Sequence, residues 1–332
     1  MFGAMALMIT ACALLAGCAA KEKEVVVYTA IDEVFSDPII ADFEKETGIK
    51  VQVVYDTEAN KTTGLVNRII AEKDHPVCDV FWNNEFVQTI SLEKQGLLEP
   101  YVSPCAEDIP DYYKSEDAMW TAIGGRARVL LVNNDRLAEA DFPTSVEDFA
   151  NGKYKGEDLA IAYPMFGTTK TMAAALYAQW GDERGREYFE KIASEGVHVV
   201  DGNSVTKDMA ASGQVAIGFT DSDDAREAIE DGANVTMVFP DQGENDMGTL
   251  LTPSTVAMIR GAKNSENAKV FIDYILKEST ERKLVDAGFY DLSIRDAGKD
   301  NSIKGMTISL EKIYDAMDVS AKDMEELFTV AN

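Results

Sequence analysis

From Lys21 onward, short runs of β-branched and aromatic residues alternate with amphipathic stretches of helical period, and this alternation leaves few folds open. Val25-Val26-Val27-Tyr28 is a continuous apolar run, as expected of a strand buried on both faces of a parallel sheet. Ser36-Asp37-Pro38 reads as a helix start, with Pro38 near the first helical position, Gly48 as the stop, and Ile39, Ile40 and Phe43 as the buried stripe. Val51 to Tyr55 predicts the next strand and Gly64 to Lys73 the next helix. Asp79 to Trp82 predicts a third strand, running directly into a helix over Glu85 to Gln95. Further strands are expected at Arg128–Val132, Leu159–Ala162, Val197–Val200, Val215–Phe219 and Thr255–Ile259. Further helices are expected at Thr169–Trp180, Asn267–Leu276 and Ser279–Ala287. No internal repeat or low-complexity linker interrupts the pattern, which specifies α/β lobes with mostly parallel sheets.

A length of 332 residues argues for two domains, and the 46% hydrophobic content supplies two cores. The net charge of −27 repels phosphate backbones and anionic membrane surfaces, which argues against a nucleic-acid partner. That acidity reads as a solvated surface and identifies no ligand. Residues 1–20 carry no charge, and Ala4 to Ala16 form an apolar run too short to span a ~30 Å hydrocarbon core. The run ends in Leu15-Ala16-Gly17-Cys18, which resembles the lipobox of bacterial lipoproteins, although the usual basic n-region is missing. The resemblance implies export, cleavage before Cys18, acylation of Cys18, and a lipid-anchored protein facing the periplasm or cell exterior. In that oxidising compartment Cys78 and Cys105 are a candidate disulfide, against the alternative of two unpaired small apolar side chains. Metal binding by these cysteines is disfavoured, since the two histidines, His75 and His198, lack ligand spacing.

Several expected strands break into helices through short polar turns: Thr29-Ala30-Ile31-Asp32, Asn83-Asn84-Glu85, Phe166-Gly167-Thr168-Thr169, Gly202-Asn203-Ser204 and Thr220-Asp221-Ser222-Asp223-Asp224. In open α/β sheets ligands sit beyond the carboxyl ends of the strands, where helix N-termini offer unpaired N–H groups. Each turn taken alone is equally an ordinary helix cap. Five of them together make a shared cleft the working expectation.

The segments Val27-Tyr28-Thr29-Ala30 and Phe43 to Val51, Cys78-Asp79-Val80-Phe81-Trp82-Asn83-Asn84-Glu85 and Gly96-Leu97-Leu98-Glu99-Pro100-Tyr101 resemble the ferric-ion-type ABC substrate-binding proteins. Asp201-Gly202-Asn203-Ser204, Gly213 to Asp221 and Gly248 to Met258 continue the match over nearly the whole mature chain. The resemblance implies the two-lobed class II periplasmic-binding-protein fold, α/β with mostly parallel sheets and two crossover strands. The crossovers are expected near Gly125–Val129 and Val238–Leu251. After a signal and anchor region at 1–20, lobe 1 is expected over 21–127 plus 239–302 and lobe 2 over 128–238 plus 303–332. Function is implied too: a small solute or ion is captured between the lobes and handed to a membrane permease with its ATPase, without a cofactor and without chemistry.

The family holds iron with two adjacent tyrosines after a second-lobe strand, helped by a first-lobe His and Glu. Here that turn carries Asp221, Ser222, Asp223 and Asp224, Asp32 stands at the histidine position, and Glu85 falls at or beside the glutamate. Tyr112-Tyr113 lacks the strand–turn context and reads as surface. Two ligand classes stay open. Asp32, Glu85, Asp221 and Asp223, with Asp224, form a candidate oxygen cage for a hard cation such as Fe3+, the preferred reading. Alternatively Thr168, Thr169, Asn203 and Ser204 cradle a small anion such as a phosphonate or sugar phosphate, with Arg126 supplying charge or serving as a structural ion pair. Thr29, Asn84 and Ser222 complete the candidate contacts. An enzyme on the same fold is the third reading, without a G-x-S-x-G elbow, Cys/His pairing or zinc motif to support it.

Overall fold

The computed structural model describes residues 23–55, 63–297, 299 and 302–329. The expected signal region at 1–20, with Cys18, lies outside them. The first sheet opens with β1 (Glu24–Thr29), whose Val25, Val27 and Tyr28 are fully buried. α1 (Glu33–Thr47) follows, then β2 (Lys50–Tyr55), α2 (Thr63–Ala71), β3 (Val80–Asn83), α3 (Val87–Lys94) and the short β4 (Leu98–Glu99). β1 lies between β2 and β3, parallel to both. α1 begins at Glu33, earlier than the proline signal suggests, and Pro38 sits inside it. Pro38 offers no N–H to the carbonyl of Val34, but the first turn is secured by the N–H groups of Phe35 and Ser36 on the Asp32 carbonyl. Gly48 ends the helix as expected, at φ 69° with its N–H on the Glu44 carbonyl.

β5 (Trp120–Asn133) is one unbroken strand that serves two sheets. Trp120 to Ala127 pair antiparallel with β10 (Leu251–Ile259), whereas Arg128 to Val132 pair antiparallel with β8 (Ile217–Asp221). The change of partner falls inside the window expected for the first crossover. The second lobe adds β6 (Leu159–Ala162), α4 (Gly167–Trp180), α5 (Asp182–Ser194), β7 (His198–Val200), α6 (Asn203–Ala211), α7 (Ser222–Glu230) and β9 (Val235–Val238). The chain returns between Val238 and Leu251, then forms α8 (Ser265–Ile275) and α9 (Glu278–Asp286). Every antiparallel pair involves β5 or β10, and all other pairs are parallel. This is the mixed α/β two-lobe periplasmic-binding-protein fold.

The C-terminal helices α10 (Leu310–Asp315) and α11 (Met317–Thr329) pack on α4 and α5 of the second lobe. Phe328 meets the rings of Tyr163 and Phe189, and Tyr177 donates to Asp323 at 2.8 Å. One sequence expectation is overturned and one open alternative is decided. Tyr113 is 2% exposed, beneath Leu251 and Gly305, so only Tyr112 of the tyrosine pair reaches toward solvent. Cys78 and Cys105 are free thiols. Cys78 is sealed in the first core with its Sγ donating to the Val80 carbonyl at 3.1 Å, whereas Cys105 lies half-buried on a separate short turn.

Gly124 shows why the crossover strand carries glycine. Its φ is +56°, and a Cβ there meets the Tyr290 ring at 2.0 Å. Gly124→Ala is therefore expected to lower the unfolding free energy by roughly 2 kcal/mol or more, read as a lower urea midpoint at unchanged slope.

Candidate functional site

The polar turns gather at strand ends but do different work. Thr29 is fully buried and its Oγ1 accepts the Ile31 N–H at 3.1 Å. Asp32 is the residue before α1. Glu85 accepts the N–H groups of Val87 at 2.6 Å and Gln88 at 3.0 Å, and Asn83 Nδ2 at 3.2 Å, so its carboxylate caps α3. Burial raises the Glu85 pKa while these hydrogen bonds and the Arg126 charge pull it down. Asn84 stands beside it on the wall of the gap between the lobes.

Across the gap, the second-lobe turns converge on one buried guanidinium. Arg128, 1% exposed, donates from Nη1 to Asp221 Oδ1 at 2.8 Å, Asn203 Oδ1 at 3.0 Å and Thr168 Oγ1 at 3.2 Å. Its Nη2 reaches the Phe219 carbonyl at 3.2 Å. The second Asp221 oxygen accepts from Thr168 Oγ1 at 2.6 Å and Asn203 Nδ2 at 2.7 Å. Thr169 is buried and donates to Asn203 Oδ1 at 3.3 Å; Ser204 is exposed on the first turn of α6. The N-termini of α4 and α6 and the end of β8 are thus stitched to β5 by one hydrogen-bonded cluster, in which the buried Nε of Arg128 is left without a partner.

Ser222 turns away from the gap. It is fully buried, its Oγ accepts the Ala127 N–H at 2.9 Å, and it forms a short hydrogen bond to Asp291, which Arg226 also grips. Asp223 pairs with Arg126 at 3.0 Å. The carboxylate oxygens of Asp221, Asp223 and Asp224 come within 4.8 Å of one another. Among the described residues no other group of three acidic, histidine or cysteine side chains converges this way, and neither Asp32 nor Glu85 joins it. Burial, and then the charges of Asp223 and Asp221, push the Asp224 pKa up to about 6. Burial opposes the charge of Arg126, but Asp223 and Asp221 more than offset it and raise its pKa.

Between the lobes lies a cavity of about 530 Å3, bounded by Asn84 to Gln88 at the start of α3, Met165 to Thr171 at the start of α4, and Arg126, Thr252 and Met317. Sequence reasoning missed Arg128, Met165, Lys170 and Met317. Arg128 had a signal: a lone cation inside an apolar strand run must find a buried partner. The other three had none. A larger hollow, about 670 Å3, opens beside Tyr101, Ser103 and Trp120 on the first lobe and holds none of the strand-end turns; the strand-end turns instead border the inter-lobe gap, which is the candidate site.

The chain belongs to the bacterial extracellular solute-binding proteins, whose family profile matches residues 38–300. It is 25% identical over 324 residues to iron uptake protein A1 of Synechocystis, covering 92% of this chain and 87% of that one. In structure it resembles ferric iron-binding protein A of Mannheimia haemolytica in an open conformation, with a TM-score of 0.81 at 21% identity, over 93% of this chain and 99% of that one. It also resembles the periplasmic binding protein AfuA of Actinobacillus pleuropneumoniae with exogenous fructose-6-phosphate bound, with a TM-score of 0.69 at 23% identity, over 93% and 99% of the two chains. Among the described residues no helix is long and apolar enough to cross a membrane.

Two outcomes follow for the ligand-free protein. Arg128→Met strands the Asp221 carboxylate in the interior and should cost about 3–5 kcal/mol of stability in denaturant titrations. Asp224→Asn tests the raised pKa. Between its ordinary value of 3.8 and about 6, the folded chain keeps a proton that the unfolded chain has released. Parental stability therefore falls as pH rises through that window. The variant, which has no such titration, should gain on the parent from pH 4 to 6 and hold that gain above it, while a difference independent of pH would refute the shift.

Proposed function

We propose that this chain is the solute-binding component of an ABC importer, closing its two lobes on a hard cation, ferric iron foremost, and passing it unchanged to a permease and its ATPase. The observation that carries this reading is the convergence of three carboxylates at the end of β8. Like charges gathered on a partly buried turn raise one another's proton affinity, as at Asp224, and a multivalent cation relieves that cost. The iron-binding names of the relatives and structural neighbours point the same way. Asp221 and Asp223 are the metal contacts proposed from the second lobe; Asp32 and Glu85 are those proposed from the first, reached on closure. Lobe 1 is proposed to comprise 21–127 plus 239–302 and lobe 2 128–238 plus 303–332, with Cys18 acylated to hold the protein at the membrane.

A second reading has its own support. Arg126 and Thr168 border the cavity, the N-termini of α3 and α4 open onto it, and Asn203 lies behind, a donor set suited to a small phosphorylated or phosphonate anion. The sugar-phosphate complex of the AfuA neighbour is consistent with it.

Ferric iron offered as its nitrilotriacetate chelate should bind with one ion per chain by elemental analysis. Asp223→Ala should weaken it at least about tenfold, a loss of roughly 1.4 kcal/mol. Small-angle scattering should show contraction on saturation, since closure requires tighter binding to the closed form. Binding of fructose-6-phosphate in place of iron would establish the second reading.

A further inference from the structure

The two arginines of the site are held very differently. Arg128 is locked by Asp221, Thr168, Asn203 and the Phe219 carbonyl at 1% exposure. Arg126, two residues earlier on β5 and in register with Thr252 of β10, has one ion pair, Nη1 to Asp223 Oδ2 at 3.0 Å, with side-chain exposures of 22% and 45%. It borders the 530 Å3 cavity. The other Asp223 oxygen, Oδ1, is buried and has no hydrogen-bond partner. That orphaned acceptor lies within the three-carboxylate group, so Asp223 has a lone pair to give that the guanidinium does not take. Against three carboxylates stand two guanidiniums, one immovable and one on a flexible stem.

We infer that Arg126 is a tethered competitor for the cation site: its guanidinium occupies Asp223 when the cleft is empty and must leave when a metal ion arrives. This rests on the cation reading and adds what sets the affinity. A protein whose competent form is only partly populated binds with its intrinsic dissociation constant divided by that fraction, so an ion pair over the site weakens capture by a fixed factor. The same pair eases release, because the carboxylate regains a charged partner as the ion departs. Glu85, across the gap at the start of α3, already feels the Arg126 charge and gives the displaced guanidinium a first-lobe carboxylate to face. Ion uptake on the second lobe would thereby favour approach of the first.

The test is Arg126→Gln in the full chain, with ferric iron delivered and competed by nitrilotriacetate. Removing a tethered competitor should tighten ferric binding about five- to tenfold, in keeping with a partly exposed ion pair of about 1 kcal/mol. Arg126→Lys, which keeps the charge, should restore most of the parental affinity; a role in packing alone would leave the two variants alike. Ferric binding by Arg126→Gln that is unchanged or weaker, while the parent binds normally, overturns the inference and leaves the cation reading standing. A parent that takes up no ferric iron overturns both. Fructose-6-phosphate binding that Arg126→Gln abolishes overturns the competitor role and assigns Arg126 to the anion.

Discussion

The molecule depends on one strand holding membership in two sheets. Because β5 runs unbroken from Trp120 to Asn133, the residue at which it changes partner is a fixed point common to both lobes. Arg126 and Arg128 flank that point on the same face, as alternate residues of a strand must. The charged centre of the gap is therefore built on the element that relates the two bodies, and the first turn of α7 is drawn to it by Asp221 and Asp223.

Electrostatics then divides the cluster into a permanent part and an adjustable part. A guanidinium as buried as that of Arg128 is tolerable only with a carboxylate opposite and most of its donors satisfied; Asp221, Thr168, Asn203 and the Phe219 carbonyl take both terminal nitrogens, while Nε has no partner. Asp221 is accordingly spent on both oxygens, by Arg128 on one side and by Thr168 and Asn203 on the other. Asp223 and Asp224 have more capacity left, and Asp221 would touch a metal ion only by sharing an oxygen it already gives to Arg128, Thr168 or Asn203. A turn that reads in sequence as four candidates resolves into one acid anchored on both oxygens, one serine facing the hinge, and two less committed acids.

Periodicity made the fold legible. Apolar runs such as Val25 to Tyr28 and Val129 to Val132, bounded by turn residues and rich in β-branched side chains, fit buried strands, and the crossover windows followed from the family resemblance. The helix start at Glu33 was obscured because a proline is a stronger local signal than the acidic first turn before it. The site was legible only as a set of turns. Whether Glu85 caps α3 or faces a ligand is decided by where its carboxylate oxygens lie relative to two backbone N–H groups, which spacing along the chain does not encode. Met317 reaches the cavity from the far end of the sequence, and only the packing of α11 on α4 brings it there. The free thiols teach the same lesson: two cysteines in one lobe make a bridge only if their side chains face each other, and Cys78 faces inward.

The position of β10 has a consequence for how such a chain matures. It is hydrogen-bonded between β3 and β5, so an interior strand of the first sheet is made long after its neighbours, and Thr255 must find Asn83 across about half of the polypeptide. A growing chain can pair β1 with β2 and β3 early, but it lacks the piece that joins them to β5 until Leu251–Ile259 are made. Such non-local closure slows folding, which leaves an interval in which an unfinished polypeptide stays threadable. For a chain of an extracellular solute-binding family, completion of the first sheet is thus the late step that strand order imposes.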